Sequence, residues 1–197
     1  MTTGTKGERK RELILSKVKE LFISQGYAAT TMEDLVRYSG ISKGSIYYHF
    51  ESKEELFLQL LEKHSEDWWI AWREREGKYQ GFREKLYGIA SYYVEDFYNP
   101  LLKVAEEFGM AQKQQEMLDR LVRTTQAPRR SYEEILQQGV REGALREIPV
   151  KELALLFAAV LDGLSITYYE YNSDEIERIY KLAVDCFLNG VLREQVS

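Results

Sequence analysis

Apolar residues recur along almost the whole chain at three- and four-residue spacing, which predicts a protein built of helices. Leu13, Ile14, Val18, Leu21 and Phe22 mark a first amphipathic helix that closes at Gly26. Thr30 and Glu33 predict a capping box, with the threonine hydroxyl accepting from the third helical amide while the glutamate reaches back. The short helix launched there ends at Ser39-Gly40, where glycine can take the left-handed conformation of a tight turn. Ser42 caps a second short helix running through Phe50, and Ser52 with Glu55 repeats the box to open a long helix reaching beyond Trp72. Further helices are predicted near 81–98, 101–109, 112–141, 150–170 and 174–192. The breaks between them fall at Gly77, Gly81, Asn99-Pro100, Gly143 with Pro149, and Asn172-Ser173. No segment alternates apolar and polar residues for long enough to make a sheet. The expected fold class is all-α.

Two short helices joined by a Ser-Gly turn, behind a basic first helix, are the sequence form of a helix-turn-helix. The second of them, Ser42 to Phe50, crowds polar, aromatic and basic groups around only two apolar anchors, Ile46 and Phe50. A structural helix of that length would bury more. Lys43 can reach a guanine edge or a phosphate, and Gly44 lets the backbone approach the groove floor. Tyr47, Tyr48 and His49 offer phosphate-positioning groups or contact with a thymine methyl, though Tyr47 also reads as a core aromatic. Thr31 and Lys53 fall at helix N-termini, where backbone amides and the dipole favour a phosphate. The candidate DNA contacts are therefore Thr31, Ser42, Lys43, Gly44, Ser45, Tyr47, Tyr48, His49 and Lys53. This divides the chain into a DNA-binding domain, 1–53, of three helices, and a body, 54–197, joined through the long helix with no flexible linker.

A formal net charge of −5 argues at first against nucleic acid, but its distribution reverses that inference. Residues 1–53 carry nine basic and six acidic side chains, a balance of +3, and the remainder carries 18 against 26, or −8. That places the basic part against phosphates and keeps an acidic body away from them. Hydrophobic residues at 44% and charged residues at 30% fit a soluble globular protein, and no run approaches the length of a membrane helix. A polar N-terminus points to the cytoplasm. Cys186, the single cysteine, reads as a packed core residue. No phosphate loop, nucleophile elbow, metal-spaced cluster or Cys/His pairing is visible, so neither an enzyme nor a cofactor is expected. The rival outside catalysis is a protein-interaction module.

The run GYAATTMEDLVRYSGISKGSIYYHFESKEELF, Gly26 to Phe57, resembles the signature of TetR-family regulators. The resemblance implies a repressor that binds roughly palindromic double-stranded operator DNA as a homodimer and releases it on binding a small effector. The apolar run through Leu161 and the positions Ile176, Ile179, Tyr180, Ala183, Phe187 and Leu188 agree, since two apolar helices with surplus surface suit a dimer interface.

In the body, aromatics and carboxylates interleave. Trp68 and Trp72 share a helical face with His64, and Tyr92, Tyr93, Asp96 and Tyr98 follow. A large lipophilic cation is held in this way, between ring faces that attract it and acids that neutralise it. Asp162 lies in a run apolar on nearly every face and is expected buried, satisfied by a tyrosine, a backbone group or a ligand. Similarity to a multidrug-binding member of the family extends over most of the chain. It implies that Trp68, Asp96, Tyr98 and Asp162 line a drug pocket. His64, Ser65, Thr125 and Pro128 stand where that member has acids or a tyrosine, which leaves the effector's charge open. The alternatives are a sensor of a fatty-acyl or other metabolic ligand, or a tryptophan pair that is plain core.

Overall fold

The structure is a computed structural model that describes residues 5–96, 99–126, 128–164 and 171–191, and among these it contains ten helices. They are α1 (Lys6–Gln25), α2 (Met32–Ser39), α3 (Lys43–His49), α4 (Lys53–Glu76), α5 (Phe82–Asp96), α6 (Pro100–Ala111), α7 (Gln115–Thr125), α8 (Pro128–Arg141), α9 (Val150–Leu164) and α10 (Ser173–Val191). The all-α expectation holds for them. The expected helix over 112–141 is two helices, because Pro128 has no amide hydrogen to continue α7 and is instead suited to the first turn of α8. By packing, the chain forms two compact units, Met1–Glu66 with Asn99–Thr125, and Asp67–Tyr98 with Gln126–Ser197. The first unit thus runs past residue 53 and takes in α6 and α7.

The first unit closes around Ile14, Phe22, Leu35, Ile46, Phe57 and Phe108. Its caps follow the sequence pattern with one shift of register. The box that starts α2 uses Thr31 and Asp34, not Thr30 and Glu33, because Thr30 is fully buried and its hydroxyl donates to the Gly26 carbonyl at 2.6 Å. At α4 only half of the expected box forms. Ser52 Oγ accepts from the Glu55 amide at 3.1 Å, while the Glu55 carboxylate turns to Gln59 and Arg120.

The second unit packs the later part of α4 with α5, α8, α9 and α10 around Trp72, Leu86, Tyr132, Phe157, Leu161 and Tyr180. In α10 the buried positions Ile176, Tyr180, Val184, Leu188 and Val191 recur every three or four residues, so a single stripe faces inward. Cys186 falls on the opposite side and is exposed, which corrects its reading as a core residue. Leu155, Leu156 and Val160 on α9 and Leu182 on α10 are exposed as well, an apolar surface the protomer leaves uncovered. Among the described residues no helix is long and apolar enough to cross a membrane.

Candidate nucleic-acid interface and ligand site

Every polar or aromatic side chain of α3 must find a partner or point away from the core, and the helix is too short to do much of the first. Ser42 Oγ accepts from the Ser45 amide at 3.3 Å and starts the helix; the buried side chains Ile46 and Phe50 hold it down. The other side is open. Tyr48 is 84% exposed, Tyr47 is exposed with Lys43 Nζ 5.6 Å from its ring centroid, and His49 is half-buried. Lys43 approaches Glu33 only to 4.0 Å with both side chains largely in solvent, a pairing worth little. A Cβ added at Gly44 would meet nothing within 4 Å, so neither a turn nor internal packing calls for glycine there.

The segment ahead of α2 is held from two sides. Gly26 has φ 80°, and a Cβ on it would come within 2.7 Å of a Glu107 carboxylate oxygen. That carboxylate accepts from the Tyr27 amide at 2.7 Å and the Ala28 amide at 2.9 Å. Opposite it, Lys53 Nζ donates to the carbonyls of Tyr27 (2.9 Å) and Thr30 (2.8 Å) and lies 4.1 Å from the Tyr27 ring. Burial pulls the Lys53 amine below its usual range, and burial followed by Glu54 pushes the Tyr27 hydroxyl above the phenol range. Lys53, expected at a phosphate, therefore directs two of its three donors inward. Thr31 is exposed, but its polar groups are already engaged with Asp34, whose carboxylate accepts from Thr31 N at 3.1 Å and Thr31 Oγ1 at 2.6 Å and whose amide donates to Thr31 Oγ1 at 3.1 Å. Two further clamps were not visible in the sequence pattern. Lys17 Nζ donates to the Ser39 carbonyl at 2.8 Å, and Arg120 of α7 grips Glu55 and Glu62 on α4. Long-range pairs of this kind have no period to betray them.

The predicted ligand residues are distributed over both units. His64 belongs to the first, where its Nε2 lies 3.0 Å from the side-chain amide nitrogen of Asn99. Asn99 Oδ1 accepts from the Leu101 amide and caps α6, so its nitrogen is the donor to His64. In the second unit Trp68, Trp72 and Tyr92 form a stack. Tyr92 lies 4.9 Å from Trp68 and 6.0 Å from Trp72 by ring centroid, and its hydroxyl donates to the Trp68 carbonyl. All three are buried, and the Tyr92 ring also carries the Arg75 guanidinium at 4.4 Å, itself held by Glu95 at 2.6 Å. A cation supplied by the chain thus sits on the ring where a cationic ligand was expected.

Asp162 departs from expectation in the other direction. It is exposed, not buried, because α9 turns Leu155, Leu156 and Val160 outward as well and is apolar on a face the protomer does not cover. Its carboxylate accepts from the Tyr93 hydroxyl at 2.6 Å. Burial first, and the charge of Asp162 next, raise the hydroxyls of Tyr93, Tyr132 and Tyr180 well above the phenol range. The rings of Tyr93 and Tyr180 stack at 6.0 Å, and the Tyr180 hydroxyl donates to the Leu161 carbonyl at 2.8 Å. Tyr132 carries no polar motif that singles it out from sequence, and Tyr180, expected at a dimer interface with Ile176 and Leu188, is with them on the inward stripe of α10 and buried in the core instead. Tyr98 lies outside the described residues, as does the side chain of Asp96.

The chain is similar to known proteins in two successive stretches. Residues 14–60 match the tetR family of bacterial regulatory proteins, and residues 64–193 match the C-terminal region of QacR-like proteins. The chain is 30% identical over 186 residues to the transcriptional regulator QacR of Staphylococcus aureus, covering 92% of this chain and 97% of that one. It is 24% identical over 203 residues to the transcriptional repressor KstR2 of Mycolicibacterium smegmatis, covering 98% and 96%. Among solved structures, the regulator FadR from Bacillus subtilis in complex with stearoyl-CoA has a TM-score of 0.77 at 16% identity, covering 91% of this chain and 98% of that chain. At that identity the likeness is one of fold.

Proposed function

The chain belongs to the tetR family of bacterial transcriptional regulators, with a QacR-like C-terminal region, and on that premise we propose a repressor that grips operator DNA as a homodimer and releases it on binding a lipophilic effector. The outward face of α3 carries this reading: Lys43, Gly44, Tyr47 and Tyr48 are presented to solvent while Ile46 alone anchors the middle of the helix. Donors, ring edges and a bare backbone on one short helix suit base edges and phosphates in a major groove. The uncovered apolar side chains of α9 and α10 support dimerisation, which sets two recognition helices on a two-fold and calls for a roughly palindromic site.

Gly44 provides a test with two opposite signs. Gly44→Ala should stabilise α3 by about 0.5 to 1 kcal/mol, since alanine is the better helix former and its methyl meets nothing within 4 Å. The same methyl should weaken binding to an operator duplex selected from a random library by the full-length protein. Denaturant unfolding and fluorescence anisotropy measure the two effects, and undiminished DNA binding by the more stable variant would remove α3 from the groove.

For the effector, we favour a lipophilic cation of the kind a multidrug efflux regulator senses, on the strength of the Asp162 carboxylate held on the Tyr93 hydroxyl beside the stacked Tyr93 and Tyr180 rings. Asp162→Asn should reduce the preference for a lipophilic quaternary ammonium over its neutral tert-butyl isostere by about 1 to 3 kcal/mol. Equal binding of the two probes by the unaltered protein would contradict this. It would favour the second reading, a fatty-acyl or other metabolic ligand, which the Arg75 guanidinium over Tyr92 would suit by its charge.

A further inference from the structure

α1 carries five basic residues in its first three turns and a half, and the structure separates them by task. Arg11 donates to the Gln59 side chain and Lys17 to the Ser39 carbonyl. Lys6, Arg9 and Lys10 form no ion pair among the described residues; Lys6 and Arg9 are exposed and Lys10 is half-buried. At 100° per residue, Lys6, Lys10, Leu13 and Lys17 fall within an arc of about 60°, one straight stripe along the helix. This stripe borders the buried face of Ile14, Val18 and Leu21.

Lys17 fixes which way the stripe looks. Its bond to Ser39, the last residue of α2, places this edge of α1 at the turn that leads into Ser42 and α3. From there the stripe runs about 16 Å toward Lys6, at a rise of about 1.5 Å per residue. The acids of the early turns lie elsewhere. Glu12 falls on the far edge, and Glu8 is turned back onto Thr5, whose amide donates to it at 2.6 Å; those bonds hold its carboxyl below the usual range. Glu20 lies beyond Lys17, past the other end. The Thr5–Glu8 box also makes α1 helical from Lys6 onward, so the lysines are displayed on a rigid surface.

We infer that Lys6 and Lys10 form a second phosphate-binding surface, continuous with the start of α3 and engaging the DNA backbone outside the recognition helix. The inference rests on the DNA-binding reading above and extends it to a surface that reads no bases. Contacts of this type carry affinity and salt dependence but no sequence information.

The test is the slope of log affinity against log salt for the double variant K6Q/K10Q on the selected operator and on a scrambled duplex. The slope should become shallower by about 0.9 for each lysine removed, four in a dimer. Affinity should fall by the same factor on both duplexes, and K6R/K10R should restore both slope and affinity. An unchanged slope in a variant that melts like the parent, while the parent binds normally, overturns the stripe alone. Failure of the parent to bind any selected duplex overturns the repressor reading beneath it.

Discussion

Trp72→Ala is expected to destabilise the protein by about 3 to 5 kcal/mol in denaturant unfolding, the range for emptying a large aromatic site in a packed core. Trp72 is 0% exposed and stacks with both Tyr79 and Tyr92 at 6.0 Å, so truncation removes support from two elements of the second unit at once. Among the described residues its buried indole nitrogen has no hydrogen-bond partner, and an unsatisfied buried donor is itself destabilising by about 1 to 3 kcal/mol. Trp72→Phe, which removes that donor while keeping a ring, should therefore be far milder than the alanine variant. An alanine variant as stable as the parent would mean that the tryptophan borders solvent or a ligand cavity instead of filling core.

The second large effect concerns DNA. Lys43→Ala and Tyr48→Ala should each weaken operator binding by about 1 to 3 kcal/mol if they reach base edges or fix the register on phosphates. Neither side chain packs into the core, Tyr48 being 84% exposed, so fold and dimer should survive both changes. Sedimentation velocity and anisotropy on one preparation separate the two properties. Full operator affinity in both variants would take α3 out of the interface.

The order of helices was readable because amphipathic periodicity and caps are local. Ser42 before α3, Gly40 after α2 and the stripe of α1 all follow from spacing alone. The register of the α2 cap was not, since Thr30 and Thr31 are chemically alike, and only the buried bond from Thr30 to Gly26 decides between them. The break before α8 was available in Pro128, whose missing amide outweighs the helical pattern around it. The exposed groups of α3 were legible as excess polarity on a short helix. What the sequence left out was pairing across distance. Glu107 on the Tyr27 and Ala28 amides, Lys53 on the same segment and Arg75 over Tyr92 join residues that no periodicity connects. For the same reason the burial that the apolar run predicts for Asp162 does not occur. An apolar helix buries all its faces only when enough protein surrounds it, and within a single protomer α9 keeps one side open.

An operator-reading α3 requires that the protein recognise a specific duplex. Selection from a random double-stranded library should enrich an inverted repeat with half-sites about one helical turn apart, or a multiple of it, centre to centre. Binding to the enriched sequence should fall linearly with salt on logarithmic axes, and Tyr48→Ala should reduce the enrichment. A library that emerges unenriched, or one enriched equally by the Tyr48→Ala variant, would contradict an operator-reading role for α3.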